Sequence, residues 1–125
     1  MPGELVLVVE DNEKNLKLAL SVLEFSGFRT LAASTAEAGL TLARAQVPDL
    51  ILMDIQLPGM DGVAALNALR ADDSTRGIRV VALTAFAMKG DQERFLSAGF
   101  DGYLVKPIDV DSFPQQVRQF CDGVI

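Results

Sequence analysis

The chain contains no histidine. It can therefore hold no Ser-His or Cys-His catalytic pair, no His-ligated zinc and no phosphohistidine of its own. Cysteine is almost as scarce. Cys121 is the only one, which excludes an intrachain disulfide or a CxxC pair and fits a reducing compartment. Positive charge is in deficit: 11 Lys and Arg against 17 Asp and Glu leave a formal charge of −6. That balance repels phosphate backbones and anionic lipid, so neither nucleic acid nor a membrane surface is an expected partner. The longest mostly apolar run, Val80 to Met88, falls far short of the ~20 residues that span a bilayer. The start, Met1-Pro2-Gly3-Glu4, is acidic where a signal peptide would be basic. The expected location is the cytoplasm. Any chemistry must run on carboxylates, Lys, Ser, Thr or the backbone.

What remains is regular. At 125 residues the chain has the length of one domain, spanning 1–125. Short aliphatic runs alternate with stretches of helical spacing, the pattern of βα units with a parallel sheet. Five runs read as strands: Leu5–Val9, Phe28–Ala33, Leu50–Met53, Val80–Thr84 and Gly102–Val105. The first, third and fourth are apolar on both faces and suit the centre of a sheet covered on each side. The second and fifth suit its edges. Five helical stretches lie between and after them, most clearly 13–26 and 35–45. Ser34-Thr35-Ala36-Glu37 matches a capping box, with Ser34 as the cap and Glu37 reaching back. Asn12 suits the cap of the first helix, and Gly27 a left-handed position after it. Pro114 predicts that the last helix begins near Asp111 or Ser112, or is distorted in its first turn, because an interior proline removes a hydrogen bond.

The polar residues after the strands are the informative ones. The first strand is followed by Glu10-Asp11, the third by Asp54 and the fifth by Lys106, and the fourth ends in Thr84. In an open α/β sheet these ends share one edge, where ligands bind. Three carboxylates about 5 Å apart, at an effective dielectric near 20, repel by roughly 3 kcal/mol per pair. The total approaches ~10 kcal/mol, comparable to the whole stability of a domain. Lys106 offsets part of this. Either proton uptake or a hard divalent cation is needed for the rest, and an all-oxygen set selects Mg²⁺, with Mn²⁺ as the alternative. A carboxylate beside such a cation can act as a nucleophile and form an aspartyl phosphate. Asp54 stands alone after its strand and suits that role, whereas Glu10 and Asp11 suit a metal mount. Lys106 is expected to hold a phosphoryl oxygen, and the Thr84 hydroxyl with the Ala85 amide another. Cys121 reads as a small, buried or half-buried apolar residue without a redox role.

Glu10-Asp11-Asn12, the stretch Asp54-Ile55-Gln56-Leu57-Pro58-Gly59-Met60-Asp61-Gly62, Thr84-Ala85 and Lys106-Pro107 together resemble the receiver domain of bacterial two-component response regulators. The resemblance covers about residues 4–122. Thr84-Ala85-Phe86-Ala87-Met88-Lys89-Gly90-Asp91 looks most like stand-alone receivers of the cell-division-control type, and like receivers attached to hybrid histidine kinases. The resemblance implies a doubly wound, flavodoxin-like fold, five parallel strands in the order 2-1-3-4-5 with five helices. It implies that Asp54 takes a phosphoryl group from a phosphohistidine on a kinase or histidine phosphotransfer protein. Mg²⁺ would be held by Asp11, Asp54 and the Gln56 carbonyl, and by Glu10 through water. It further implies a switch in which Thr84 moves toward the phosphate and Tyr103 swings in, and a cis Lys106-Pro107 bond. Such a protein is a signalling phosphoacceptor rather than an enzyme, although it promotes its own phosphorylation and dephosphorylation. It signals to a downstream protein, as a monomer or a weak phosphorylation-dependent dimer. The acidic pair is Glu-Asp where many members have Asp-Asp, which bears on metal affinity.

The first helix carries two apolar stripes. Leu16, Ala19, Leu20 and Leu23 should face the sheet. Leu18, Val22 and Phe25 lie almost opposite and, with Asn15, Pro107 and Ile108, form an expected docking surface for a helical histidine partner. Gln56 and Phe86, two residues beyond Asp54 and Thr84, are expected to flank the phosphoryl group. Other readings fit less well. A haloacid-dehalogenase-type phosphatase needs its DxD after the first strand, and no GxGxxG or GxxxxGK[ST] supports nucleotide binding. A phosphate-independent binding module on the same fold remains as the alternative, as does a receiver excised from a larger kinase or regulator.

Overall fold

A computed structural model describes residues 3–57, 59–85 and 89–123. Ten elements alternate: β1 (Leu5–Val9), α1 (Glu13–Phe25), β2 (Arg29–Ala33), α2 (Ala36–Gln46), β3 (Leu50–Asp54), α3 (Gly62–Ala71), β4 (Arg79–Thr84), α4 (Lys89–Ala98), β5 (Gly102–Val105) and α5 (Phe113–Asp122). All strand pairs are parallel, in the order β2-β1-β3-β4-β5. The doubly wound topology expected of the chain is the one observed, with the two less apolar strands at the edges. Strand ends differ from the sequence reading by one residue: Phe28 lies outside β2, and Asp54 and Arg79 lie inside β3 and β4.

Alternation along the central strands divides the core in two. Leu7, Val9, Ile51, Met53, Val80 and Ala82 face one layer with Leu40 of α2, Leu66 and Leu69 of α3 and Phe95 of α4. Val6, Val8, Leu50, Leu52, Val81 and Leu83 face the other, with Ala19 and Leu23 of α1 and Phe113, Val117 and Phe120 of α5. Each fully buried side chain of this size contributes roughly 1.5–3 kcal/mol. Removing water from both faces is what holds β1, β3 and β4 at the centre. Among the described residues, no helix is long and apolar enough to cross a membrane.

Local chemistry sets the helix starts. Asn12 Oδ1 accepts from the Asn15 amide at 3.0 Å and caps α1. Asp61 caps α3 through the Ala64 amide at 2.9 Å. At α2 the expectation fails by one residue: the cap is Thr35, whose hydroxyl accepts from Ala38 N at 3.1 Å. Ser34 is therefore outside the helix, and Glu37 falls one position short of the place from which it would reach back. Packing decides between the two hydroxyls, because this frame buries Ala36 completely and leaves Glu37 exposed. The last helix begins at Phe113, after Ser112, with Pro114 in its first turn, where a missing N–H leaves no bond unmade. Gly27 has φ 96° after α1.

Candidate functional site

Four strand ends deliver their polar residues to one edge of the sheet. Glu10 continues β1, its amide donating to the Ala33 carbonyl at 3.0 Å. It is only 2% exposed, whereas Asp11 points into solvent. Asp54 is the last residue of β3 and is equally buried. Lys106 follows β5 across a bond from its amide to the Thr84 carbonyl at 2.7 Å, and the Lys106–Pro107 peptide is cis. The Lys106 ammonium lies 3.2 Å from Glu10 Oε1 and 3.1 Å from Asp54 Oδ2. It joins residues 96 and 52 positions away in the chain.

Backbone amides orient the two buried acids. Gln56 N donates to Asp54 Oδ1 at 3.0 Å, and Asn12 N to Glu10 Oε2 at 3.2 Å. These amide donors were not foreseen, although the Asn12 cap was, and the turn that caps α1 also holds Glu10. One oxygen from each of Glu10, Asp11 and Asp54 lies within 4.8 Å of the others. An octahedral ion with ligands at about 2.1 Å sets adjacent donors about 3 Å apart, so these carboxylates must turn inward to ligate one, or reach it through a water.

The charges here do not cancel. Burial, with the Asp54 carboxylate beside it, pushes the Glu10 pKa above its ordinary value of 4.5. Burial alone would lower the Lys106 pKa, but Asp54 and Glu10 outweigh it and hold the ammonium above 10.5. Burial first and the neighbouring Asp54 second thus favour a proton on Glu10, one of the two neutralising routes available. Elsewhere, burial pushes the half-buried Cys121 thiol up to about 11, which keeps it protonated at neutral pH.

Residues 6–118 match the response regulator receiver domain family. The chain belongs to that family. It is 46% identical to the polar-differentiation response regulator DivK of Brucella anthropi over 92% of this chain and 94% of that protein. It is 45% identical to DivK of Brucella ovis over the same shares. Among solved structures it resembles the receiver domain of a sensor histidine kinase from Pseudomonas aeruginosa PAO1. The two share 33% identity with a TM-score of 0.86, over 96% of this chain and 98% of that one. That structure has a magnesium ion coordinated in its active-site cleft. The chemotaxis protein CheY4 of Vibrio cholerae shares the fold, with a TM-score of 0.88 at 21% identity over 94% and 98% of the two chains. This is a signalling family of two-component systems, and the acidic cluster lies where the sheet topology of a receiver places its pocket.

Around the cluster, this receiver places the remaining candidate residues as follows. Thr84 is buried and Ala85 exposed at the end of β4. Tyr103 is half-buried and packs on the α2–α3–α4 side of the sheet. It pairs with Ala82 in register, two residues before Thr84, so by alternation Thr84 and Tyr103 share one face. Gln56 is exposed beside Asp54; Phe86 lies outside the described residues. Asn15, Leu18, Ala85, Lys106, Pro107 and Ile108 line one cleft of about 290 Å³. Leu18 is 41% and Phe25 95% exposed. Val22 differs from expectation: it is half-buried, divided between the core beneath α1 and a second groove that runs toward Phe25 and Val110.

Proposed function

We propose that this receiver is a DivK-like phosphoacceptor that takes a phosphoryl group onto Asp54 from a phosphohistidine on a kinase or phosphotransfer protein. The observation that carries this reading is the Asp54 carboxylate, buried, 3.1 Å from the Lys106 ammonium and grouped with the oxygens of Glu10 and Asp11. An Asp54 oxygen attacks the donor phosphorus; a P–O bond forms, the P–N bond breaks and its electron pair returns to the imidazole. Because the chain has no histidine, donor and acceptor are separate chains or segments. Asp11, Asp54 and the Gln56 carbonyl would hold Mg²⁺, or Mn²⁺ in its place, with Glu10 acting through water. Bound there, the ion would neutralise the carboxylates and the incoming phosphoryl oxygens.

Lys106 then exchanges its ion pair with Asp54 for a phosphoryl oxygen, and the Thr84 hydroxyl with the Ala85 amide takes another. Gln56 flanks the group from the solvent side. Movement of Thr84 leaves space on the face it shares with Tyr103, and the Tyr103 ring following it would alter the surface around β5. The output is a contact with a downstream protein, made by a monomer or a weak phosphorylation-dependent dimer. The partner docks on Asn15, Leu18, Pro107 and Ile108, which line the cleft beside Lys106, and reaches Val22 in the neighbouring groove. The unit of function is the single receiver domain, acting in the cytoplasm.

Intact mass after incubation with acetyl phosphate and Mg²⁺ tests the reading. The wild type should gain the mass of one phosphoryl group, and Asp54→Ala should gain none. Unmodified wild type, with Tyr103 fluorescence unmoved by beryllofluoride and Mg²⁺, would favour the phosphate-independent binding module instead.

A further inference from the structure

Asp54 ends β3 and Gly62 begins α3, with a loop between them. The neck of this loop is tight. Gly62 N donates to the Ile55 carbonyl at 3.2 Å, while Ile55 N is tied to the Leu83 carbonyl of β4 at 3.1 Å. Gly62 is buried, and a Cβ there would stand 2.6 Å from the Asp54 carbonyl oxygen and 3.0 Å from the Ile55 Cα. Both are backbone atoms, so no side-chain rotation relieves the overlap. Gly62 does not have a positive φ; the position requires the absence of the Cβ itself. The backbone it presses against belongs to the residue that carries the candidate nucleophile.

We infer that Gly62 is a positioning residue for the acidic site: its bare backbone lets the first turn of α3 close on β3 and so fixes where Asp54 and Gln56 stand. The inference rests on the phosphoacceptor reading of that site. An ordinary carbon contact needs about 3.5 Å, so an added methyl group forces a separation approaching 1 Å. Mg²⁺ requires near-ideal octahedral geometry at about 2.0–2.1 Å, so a backbone displacement of that size should weaken its binding. Asp54 is held on one side by the Gln56 amide and on the other by Lys106. A shift at its carbonyl therefore moves the carboxylate relative to Glu10 and Asp11 rather than being absorbed in solvent.

A matched control separates positioning from ordinary overpacking. A Cβ at Gly102 would lie 2.3 Å from the Phe120 ring, at the amino end of β5 and so away from the acidic edge. The test compares Mg²⁺ affinity by titration calorimetry and melting temperature in wild type, Gly62→Ala, Gly102→Ala and Asp54→Ala. Both glycine variants should melt lower. Only Gly62→Ala should also bind Mg²⁺ about 10–100-fold more weakly, the range found when groups that orient metal ligands are disturbed. Wild-type affinity in Gly62→Ala, or an equal loss in Gly102→Ala, overturns the inference alone. So does a Gly62→Ala chain that stays unfolded in the cold, because the glycine would then serve the whole fold. Mg²⁺ binding absent from the wild type, or unchanged in Asp54→Ala, would overturn the phosphoacceptor reading and this inference with it.

Discussion

Val47 closes α2 with φ 45° and ψ 69°, a left-handed conformation that a β-branched side chain resists. It is the one non-glycine residue with positive φ among those described, and its side chain is half exposed. Its amide still bonds the Ala43 carbonyl at 2.9 Å, so the strain is accepted to end the helix before Pro48. Glycine would take this conformation freely while losing more chain entropy on folding; the balance favours it by about 0.5–1 kcal/mol. Val47→Gly should therefore raise the urea midpoint with an unchanged slope, and a lower midpoint would show that Val47 packs better than its exposure indicates. No pattern of apolar spacing announces such a position. Val47 looks like one more aliphatic residue, and only the turn into β3 reveals that the chain must reverse there. Ser34 and Thr35 teach the same lesson, since either hydroxyl can cap and the burial of Ala36 chooses between them.

At the scale of elements, α1 serves two surfaces. Its inner face, Ala19 and Leu23, is sealed against the sheet and α5, while Leu18 and Phe25 remain in water. Leu18 shares its cleft with Lys106, Pro107 and Ile108, so a partner helix seated there would hold its histidine close to Asp54. A charge at the centre of an apolar contact costs at least about 1.4 kcal/mol, or ten-fold. Leu18→Asp should slow phosphotransfer from the partner by about that factor or more, yet leave labelling by acetyl phosphate unchanged; equal loss in both assays would refute docking on this face. Most of the fold was legible because β1, β3 and β4 are apolar on both faces, a pattern that parallel strands under two helical layers require. The site was legible because each of those strands ends in a chemically distinctive residue. The neck at Gly62 was not. A glycine before a helix looks like an ordinary turn until the distance to the Asp54 carbonyl is known.

Over the whole molecule, electrostatics gives a stability profile with opposing slopes. Glu10 has a raised pKa, so the folded state binds its proton more tightly than the unfolded chain. Its effect favours folding below 4.5 and is lost as pH rises through the raised value. Glu4 works in the opposite sense. The Arg118 guanidinium beside it holds its carboxyl below 4.5, and the Ser74 hydroxyl and amide hold Asp72 below 3.8. Both contributions are present at neutral pH and are lost as pH falls through the lowered values. In metal-free buffer the melting temperature should therefore rise as the solution is acidified from neutrality toward 4.5, then fall at lower pH. Easing of the general repulsion carried by a charge of −6 adds to the first slope in every variant, so the site's share is read by difference. Glu10→Gln should flatten the rise and leave the acid fall in place. If the folded cluster holds Mg²⁺ as proposed, the ion should raise the neutral-pH melting temperature of the wild type, and do so far less in Asp11→Ala. A Glu10→Gln profile that parallels the wild type throughout would show that Glu10 takes up no extra proton on folding, and the support that its titration lends to a neutralising cation would fall with it.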